Sequence, residues 1–355
     1  MTFEALTSRA PYSVPQAEKE RLLLESLNQL TRHHAAQCAP YRQVLDAVWD
    51  GARDAASLED VPFMPVSIFK RLDLVSTSEK TMTLASSGTT GQRPSRIFVD
   101  AETSQRQSRA LVDTLKTVLG EKRLPLLVID TRKVISHHAL LTARGAGVLG
   151  MMKFGAKATF ALDENLTMDK ETARAFVSAN GSKPFLIFGF TFLVWSKLQE
   201  AFAPGELDLS NAILIHSGGW KQMEARKVTN AEFRAELKAK FGLTRIFNFY
   251  GMVEQIGSIF LEGSDGALYP PNFADIIIRD ERTWKPLGIG QPGIIQVVSA
   301  LPRSYPGHSL LTEDRGEIVS IDAGVDGRMG KAIRIYGRLP KAELRGCSDV
   351  AAAQA

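Results

Sequence analysis

Cysteine is scarce in this sequence: 355 residues contain two, Cys38 and Cys347. They match no metal-ligand spacing and are too few for a disulfide framework, which points to a reducing compartment. Long apolar runs are also missing. None approaches the roughly 18 residues of a membrane span, and the N-terminal MTFEALTSRAPYSVP carries Glu4 and no apolar core, unlike a signal peptide. A cytoplasmic protein is expected. Neither charge sign dominates: 43 Lys and Arg stand against 39 Asp and Glu, for a net charge of +4. The basic residues are scattered, which argues against nucleic acid as the main partner but suits a small anionic substrate. A Walker A loop is absent, because Gly330 and Lys331 have Val325 where the first glycine belongs and Ala332 where the hydroxyl belongs. Gly288, Gly290 and Gly293 do match GxGxxG, yet Pro292 and the following IIQVV forbid the helix that a dinucleotide site needs.

What is present is an ordinary globular composition, 44% hydrophobic and 23% charged, on a chain long enough for one large α/β domain or two smaller ones. Residues 16–36 place Leu23, Leu27, Leu30 and Ala35 at helical spacing, and VPFMPVSIFK (61–70) reads as an irregular buried crossing. From residue 97, apolar runs alternate with amphipathic stretches. RIFVD, LPLLVID, KATFAL, FLIFGF and AILIHS each precede a helical pattern, the last from about Glu224 to Phe241, and RIFNFYG follows. That alternation predicts a parallel sheet covered on both faces. Beyond residue 270 the pattern changes to short strands with Gly and Pro turns, so a smaller β-rich part is expected there.

Five stretches could carry chemistry. SSGTTG offers the backbone amides of Ser86, Ser87, Gly88, Thr89, Thr90 and Gly91, with several hydroxyls, to wrap a polyphosphate; a polar hairpin turn is the plain alternative. In FNFYGMVEQIG, at the carboxyl end of a strand, Tyr250 could present its ring to a base, beside Gly251, and Glu254 an oxygen to a magnesium ion. Taken singly, a core aromatic and a solvated helix start explain them better. Gly218 and Gly219 of SGGWK permit close approach of a ligand or simply make a strand-to-helix turn. Asp314 could accept from ribose hydroxyls or serve turn chemistry. Cys347, with Arg345 nearby to favour the thiolate, is a nucleophile candidate or a surface cysteine. FLIFGFTFLVW and Trp220 could line an acyl channel, although a core strand and helix explain them better. The pairs His33–His34 and His137–His138 read as helix-surface residues, and Cys38 as buried.

In this order the pieces resemble the adenylate-forming superfamily of acyl and aryl CoA ligases, peptide-synthetase adenylation domains and luciferases. SSGTTG looks like its phosphate loop, SGGWK its adenine-side motif and YGMVEQ its Tyr-Gly-x-x-Glu motif; TEDRGEI holds the place of its ribose-binding aspartate, and GRLPKAELRG, starting at Gly337 and Arg338, its hinge. PFMPVSIFK, HSGGWK, YGMVEQIG and RGCS further resemble the LuxE-type acyl-protein synthetases. The resemblance implies an α/β fold with the architecture of the adenylate-forming N-terminal domain, mixed and parallel sheets with flanking helices plus a small β-rich subdomain. Its expected divisions are residues 1–75 (a helical region), 76–337 (the core) and 338–355 (hinge and C-terminal arm). It implies ATP and Mg2+ as cofactors, with Glu254 as metal ligand and Glu254, Arg338 and Cys347 as catalytic residues. A carboxylic acid, expected to be fatty, is activated to an acyl-adenylate. The acyl group passes to Cys347 and on to a partner acyl reductase or acyl carrier protein. Two features depart from the superfamily. Pro94 is followed by Ser95 and Arg96 rather than a lysine, so the lysine's role is either absent or taken by Arg93 or Arg96. The C-terminal lid of about a hundred residues, a small-domain size, is expected to be missing. That favours self-acylation over an acyl- or aryl-CoA ligase or a ligase acting on an external carrier thiol; a non-catalytic nucleotide-binding scaffold is the alternative of another class.

Overall fold

The computed structural model describes residues 2–79, 82–85, 94–136, 141–220 and 226–339. Three helices open the chain: α1 (Thr2–Thr7), α2 (Gln16–Gln37) and α3 (Ala39–Val48). Leu23, Leu27, Leu30 and Ala35 lie on the buried face of α2, as the spacing predicted, and Leu22 joins them. At its end the Cys38 amide donates to His34 O, and Pro40 starts α3 where a missing N–H costs nothing. Cys38 is buried at this junction.

The strands are β1 (Met64–Pro65), β2 (Met82–Ala85), β3 (Arg96–Val99), β4 (Leu124–Thr131), β5 (Leu141–Thr142), β6 (Gly155–Leu162), β7 (Phe185–Phe190), β8 (Ala212–Ser217), β9 (Arg245–Tyr250), β10 (Phe260–Glu262), β11 (Leu268–Tyr269), β12 (Ala274–Arg279), β13 (Gly293–Ser299), β14 (Ser309–Ile321) and β15 (Lys331–Arg338). The later helices are α4 (Ala101–Leu119), α5 (Ala143–Met152), α6 (Lys170–Asn180), the short α7 (Thr191–Leu193), which runs on as a π-helix over Val194–Gln199, and α8 (Asn230–Phe241). Strands β6-β4-β7-β8-β9 form the expected parallel sheet. Three of these strands, β4, β7 and β8, are continuous apolar runs such as Phe185–Phe188, because helices bury both faces.

The β-rich part continues the same sheet. β10 pairs antiparallel with β9, and the order proceeds through β11, β15, β14 and β13 to β12, with β1 beside β14. RIFVD departs from the expectation: β3 pairs with β2, which pairs with β5, in a separate three-stranded sheet. The two-residue β5 is too short for any periodicity to reveal. Helix α8 begins at Asn230 rather than near Glu224. Thr229 and Glu232 form a capping box there, each side chain accepting from the other's backbone amide, which starts the helix at that point.

His34 corrects the reading of the histidine pairs: it is fully buried, its Nδ1 2.8 Å from Ser76 Oγ and its ring stacked on His308 at 5.0 Å between centroids. His33 stays at the surface beside Arg303 O, and His137–His138 lie outside the described residues. Burial pushes the pKa of His308, and separately of His216, down to about 3 from 6.5. A base with a lowered folded pKa contributes fully above 6.5 and progressively loses that contribution below it, because the unfolded chain takes up the proton. Each histidine is therefore expected to cost about 2 kcal/mol at pH 5 relative to neutral pH. The buried carboxyls Glu254, Glu262 and Asp314, whose pKa values burial raises, act in the opposite sense. The informative quantity is thus the stability gap between wild type and His308→Gln, read by urea unfolding. It should shrink by about 2 kcal/mol from pH 7.5 to 5; a gap independent of pH contradicts the burial argument.

Candidate active site

The chain leaves β9 at Tyr250, passes Gly251 and makes a buried 3-10 turn over Val253–Gln255. Its neighbours fix this turn. The Gln255 side chain donates to Gly307 O at 2.8 Å and Val297 O at 3.3 Å. Gly257, at φ +87°, lies so close to α4 that a Cβ would stand 2.8 Å from the Gln107 backbone. Ser258 Oγ is 2.6 Å from Ser299 Oγ. The carbonyl of Glu254 abuts Gly307, where a Cβ would come within 2.6 Å of that oxygen.

The Glu254 side chain is only 6% exposed, so the solvated helix start allowed by the sequence does not occur. Burial raises its pKa, opposed by the Ser95 hydroxyl and by the charges of Lys70 and Arg338. Lys70 ends a 3-10 turn over Val66–Lys70, anchored by Phe69 packing edge-on against Tyr305 at 6.2 Å.

Tyr250 is half-buried against Phe260, and its hydroxyl donates to Asp314 Oδ2 at 2.7 Å. Burial pushes the phenol well above its ordinary pKa, and the Asp314 charge adds to this. Asp314 lies on β14 opposite Arg338 of β15, whose Nε is 3.8 Å from Oδ1. The Asp314 amide is held by Thr312 Oγ1 at 3.1 Å. Burial raises the Asp314 pKa, while Tyr250 and Arg338 pull it down. Arg338 is mostly solvent-exposed, so it contributes a mobile charge rather than a strong ion pair. Asp314 is thus a strand residue, and the simple turn chemistry allowed by the sequence does not apply.

At the end of β8, Gly218 takes φ +83°, a conformation that suits glycine, and a Cβ there would press on the Phe190 ring at 3.1 Å. Gly219 faces open space, so its backbone is accessible to a ligand. Trp220, by contrast, is buried against Trp195 and Phe233, as core packing predicted.

Residues 86–91 of the SSGTTG stretch and Cys347 lie outside the described residues, as does Arg93. The flanks of the former are defined: β2 and β3 are antiparallel with Ala85 opposite Arg96, so the segment between them joins the two strands of a hairpin. Arg96 is ion-paired with Asp73. Gly288 and Gly290 lie in the turn before β13, which starts at Gly293, and no helix follows. Sequence reasoning missed Ser95, Lys70, Thr312 and Gly307. PFMPVSIFK was a visible signal for Lys70, but the others are single residues without a pattern.

Tyr250, Gly218 and Gly219 thus lie at the carboxyl ends of parallel strands, where open α/β sheets bind ligands, with Glu254 and Asp314 alongside. The accessible Gly219 backbone and the buried carboxyls fit a nucleotide. Among the described residues no group of three His, Cys, Asp or Glu could hold a metal. A lone Glu254 still fits Mg2+, which is commonly held by one or two carboxylates plus substrate phosphates. No helix among the described residues is long and apolar enough to cross a membrane.

Comparison with known proteins finds relatives of this chain in sequence and in fold. The curated long-chain-fatty-acid--luciferin-component ligase of Aliivibrio fischeri is 22% identical over 302 residues, covering 82% of this chain and 78% of the relative. The protein of the same name from Vibrio harveyi is 29% identical over 138 residues, 38% of this chain and 35% of the relative. An open conformation of 2-hydroxyisobutyryl-CoA ligase, in complex with 2-HIB-AMP and CoA, superimposes with a TM-score of 0.70 at 16% identity, over 92% of this chain and 71% of that one. ATP-bound MatB from Rhodopseudomonas palustris does so at 0.50, with 17% identity, over 74% and 49%. These likenesses fix the fold as that of adenylate-forming enzymes. The family model for acyl-protein synthetase, LuxE, matches residues 3–355, and the chain therefore belongs to that family of ligases.

Proposed function

We propose that the chain activates a long-chain fatty acid with ATP to an acyl-adenylate and transfers the acyl group to its own Cys347, for delivery to an acyl reductase or carrier. The observation that carries the first half is the convergence of Tyr250, Asp314 and Glu254 at the carboxyl end of the sheet, beside Ser95 at the flank of the SSGTTG hairpin. The fatty-acid substrate rests on the family and on the names of the curated relatives.

The chemistry brings two anions together, a carboxylate and the α-phosphoryl group. Amides of residues 86–91 would neutralise the polyphosphate, Asp314 would accept from ribose hydroxyls, and the ring of Tyr250, oriented by its bond to Asp314, would flank the base. Glu254 would hold Mg2+, which supplies charge to the phosphates when bound. The adenylate carbonyl is then attacked by the Cys347 thiolate: a C–S bond forms, the bond to AMP breaks, and AMP leaves with the electron pair. The Leu339 amide donates to Glu313 O at 3.0 Å, next to Asp314, and Cys347 follows eight residues later in the sequence. ATP–pyrophosphate exchange is the test: the reading requires exchange that depends on added fatty acid and needs no CoA. Exchange absent with every fatty acid, despite measurable ATP binding, would favour a non-catalytic nucleotide-binding subunit.

A further inference from the structure

His216 is the penultimate residue of β8, 2% exposed, and no part of the chemistry above uses it. The register places Gly189 opposite it and Phe190 opposite Ser217, so the carboxyl ends of β7 and β8 finish side by side. Thr191 follows at once and opens α7. Its hydroxyl lies 3.0 Å from His216 Nδ1 and donates to Ser217 O at 3.1 Å. A threonine hydroxyl has one proton to give. With that proton on Ser217 O, which can only accept, Nδ1 must carry a hydrogen and donate to Thr191 Oγ1. His216 Nε2 is then the bare nitrogen of a neutral ring, and it has no hydrogen-bond partner among the described residues. Burial keeps the ring neutral through the physiological range, and the Arg234 charge adds to this. The Phe233 ring, tilted against the imidazole at 4.7 Å between centroids, holds it in place.

This relay fixes a peptide plane. The Ser217–Gly218 peptide is planar and trans, so a carbonyl held toward Thr191 turns the Gly218 amide the opposite way. Gly218 takes φ +83° with a Cβ position only 3.1 Å from the Phe190 ring, and Gly219 comes out facing open space. Paired glycines do not hold one conformation unaided, because glycine loses more freedom on ordering than any other residue. We propose that Thr191 and His216 are positioning residues for nucleoside binding: their hydrogen bonds fix the Ser217 carbonyl, and with it the direction in which the Gly218–Gly219 backbone is presented at the sheet ends. This rests on the reading of the site as an ATP site. Neither side chain needs to touch the nucleotide.

The consequence is a graded loss. Thr191→Val keeps the shape and leaves the Ser217 carbonyl unheld, so the KM for ATP in pyrophosphate exchange and the Kd of AMP should rise together by about tenfold, with kcat within about twofold. His216→Phe keeps the packing against Phe233 and removes only the donor to Thr191, so its loss should be smaller, about threefold. Thr191→Ser and His216→Asn retain the hydroxyl and the donor and should bind AMP as wild type does. Isothermal calorimetry with AMP and exchange kinetics on the full chain read this ladder, with thermal unfolding as the check on fold. Wild-type AMP affinity in a folded Thr191→Val overturns the proposal and leaves the pair a stabilising contact. If Thr191→Val fails to fold, equal AMP affinity in His216→Phe and His216→Asn overturns it instead. A raised KM for fatty acid with an unchanged KM for ATP assigns the pair to the acyl side and also overturns it. A wild-type chain that binds neither ATP nor AMP overturns the ATP-site reading itself, and this inference with it.

Discussion

Glu254→Gln should lower fatty-acid-dependent pyrophosphate exchange by at least about 10²-fold while the protein unfolds at nearly the same urea concentration. The substitution is isosteric, and the turn over Val253–Gln255 is held by the Gln255 side chain and by Gly257 against α4, not by the Glu254 carboxyl. What disappears is one negative charge beside Lys70 and Arg338. If Glu254 holds Mg2+, the substitution removes a ligand for the cation that would offset the charge of the phosphates. Exchange at the wild-type rate in Glu254→Gln would remove Glu254 from the metal site.

Gly307→Ala should damage both activity and stability. A Cβ at Gly307 would lie 2.4 Å from Tyr305 Cε2 and 2.6 Å from the Glu254 carbonyl oxygen. The second obstacle is backbone, so the methyl can be accommodated only by moving the turn that carries Glu254 or the strand that carries Asp314. Overpacking of this kind costs about 2–3 kcal/mol, and a displacement near 1 Å at a reacting centre costs about 10²-fold in rate. Urea unfolding together with pyrophosphate exchange separates the two effects. Wild-type values for both would mean that the backbone makes room for the methyl without displacing Glu254 or Asp314, and would contradict this argument.

Much of this architecture was legible in the residues. Buried parallel strands such as LPLLVID and AILIHS announce themselves as apolar runs bounded by helices, and the short Gly- and Pro-punctuated strands beyond residue 270 were equally plain. Pairing partners were not, because periodicity fixes an element and not its neighbour. RIFVD read as one more strand of the parallel sheet, whereas β3 pairs with β2 in the smaller one. The continuity of the β-rich part with that sheet depends on β10 and β11, of three and two residues. His34 looked like a surface residue because its neighbours are polar; its burial comes from His308, 274 positions away in sequence, which no local pattern encodes.

The site divides in the same way. Tyr250, Glu254, Asp314, Gly218 and Gly219 were named from motifs, and the structure places the first three in one region: Tyr250 and Asp314 share a hydrogen bond, and Arg338 lies near both Asp314 and Glu254. The residues that hold them, Thr312, Gln255, Gly257 and Gly307, carry no motif because their task is fit rather than chemistry.

Transfer to Cys347 is the central claim, and intact mass addresses it most directly. Wild type and Cys347→Ala are incubated with ATP, Mg2+ and a panel of fatty acids, without CoA. Self-acylation predicts an increment of one acyl group on wild type alone, while pyrophosphate exchange persists in both proteins. An increment that survives in Cys347→Ala, or AMP released only when CoA or a carrier protein is added, contradicts it and assigns the acyl group to another acceptor.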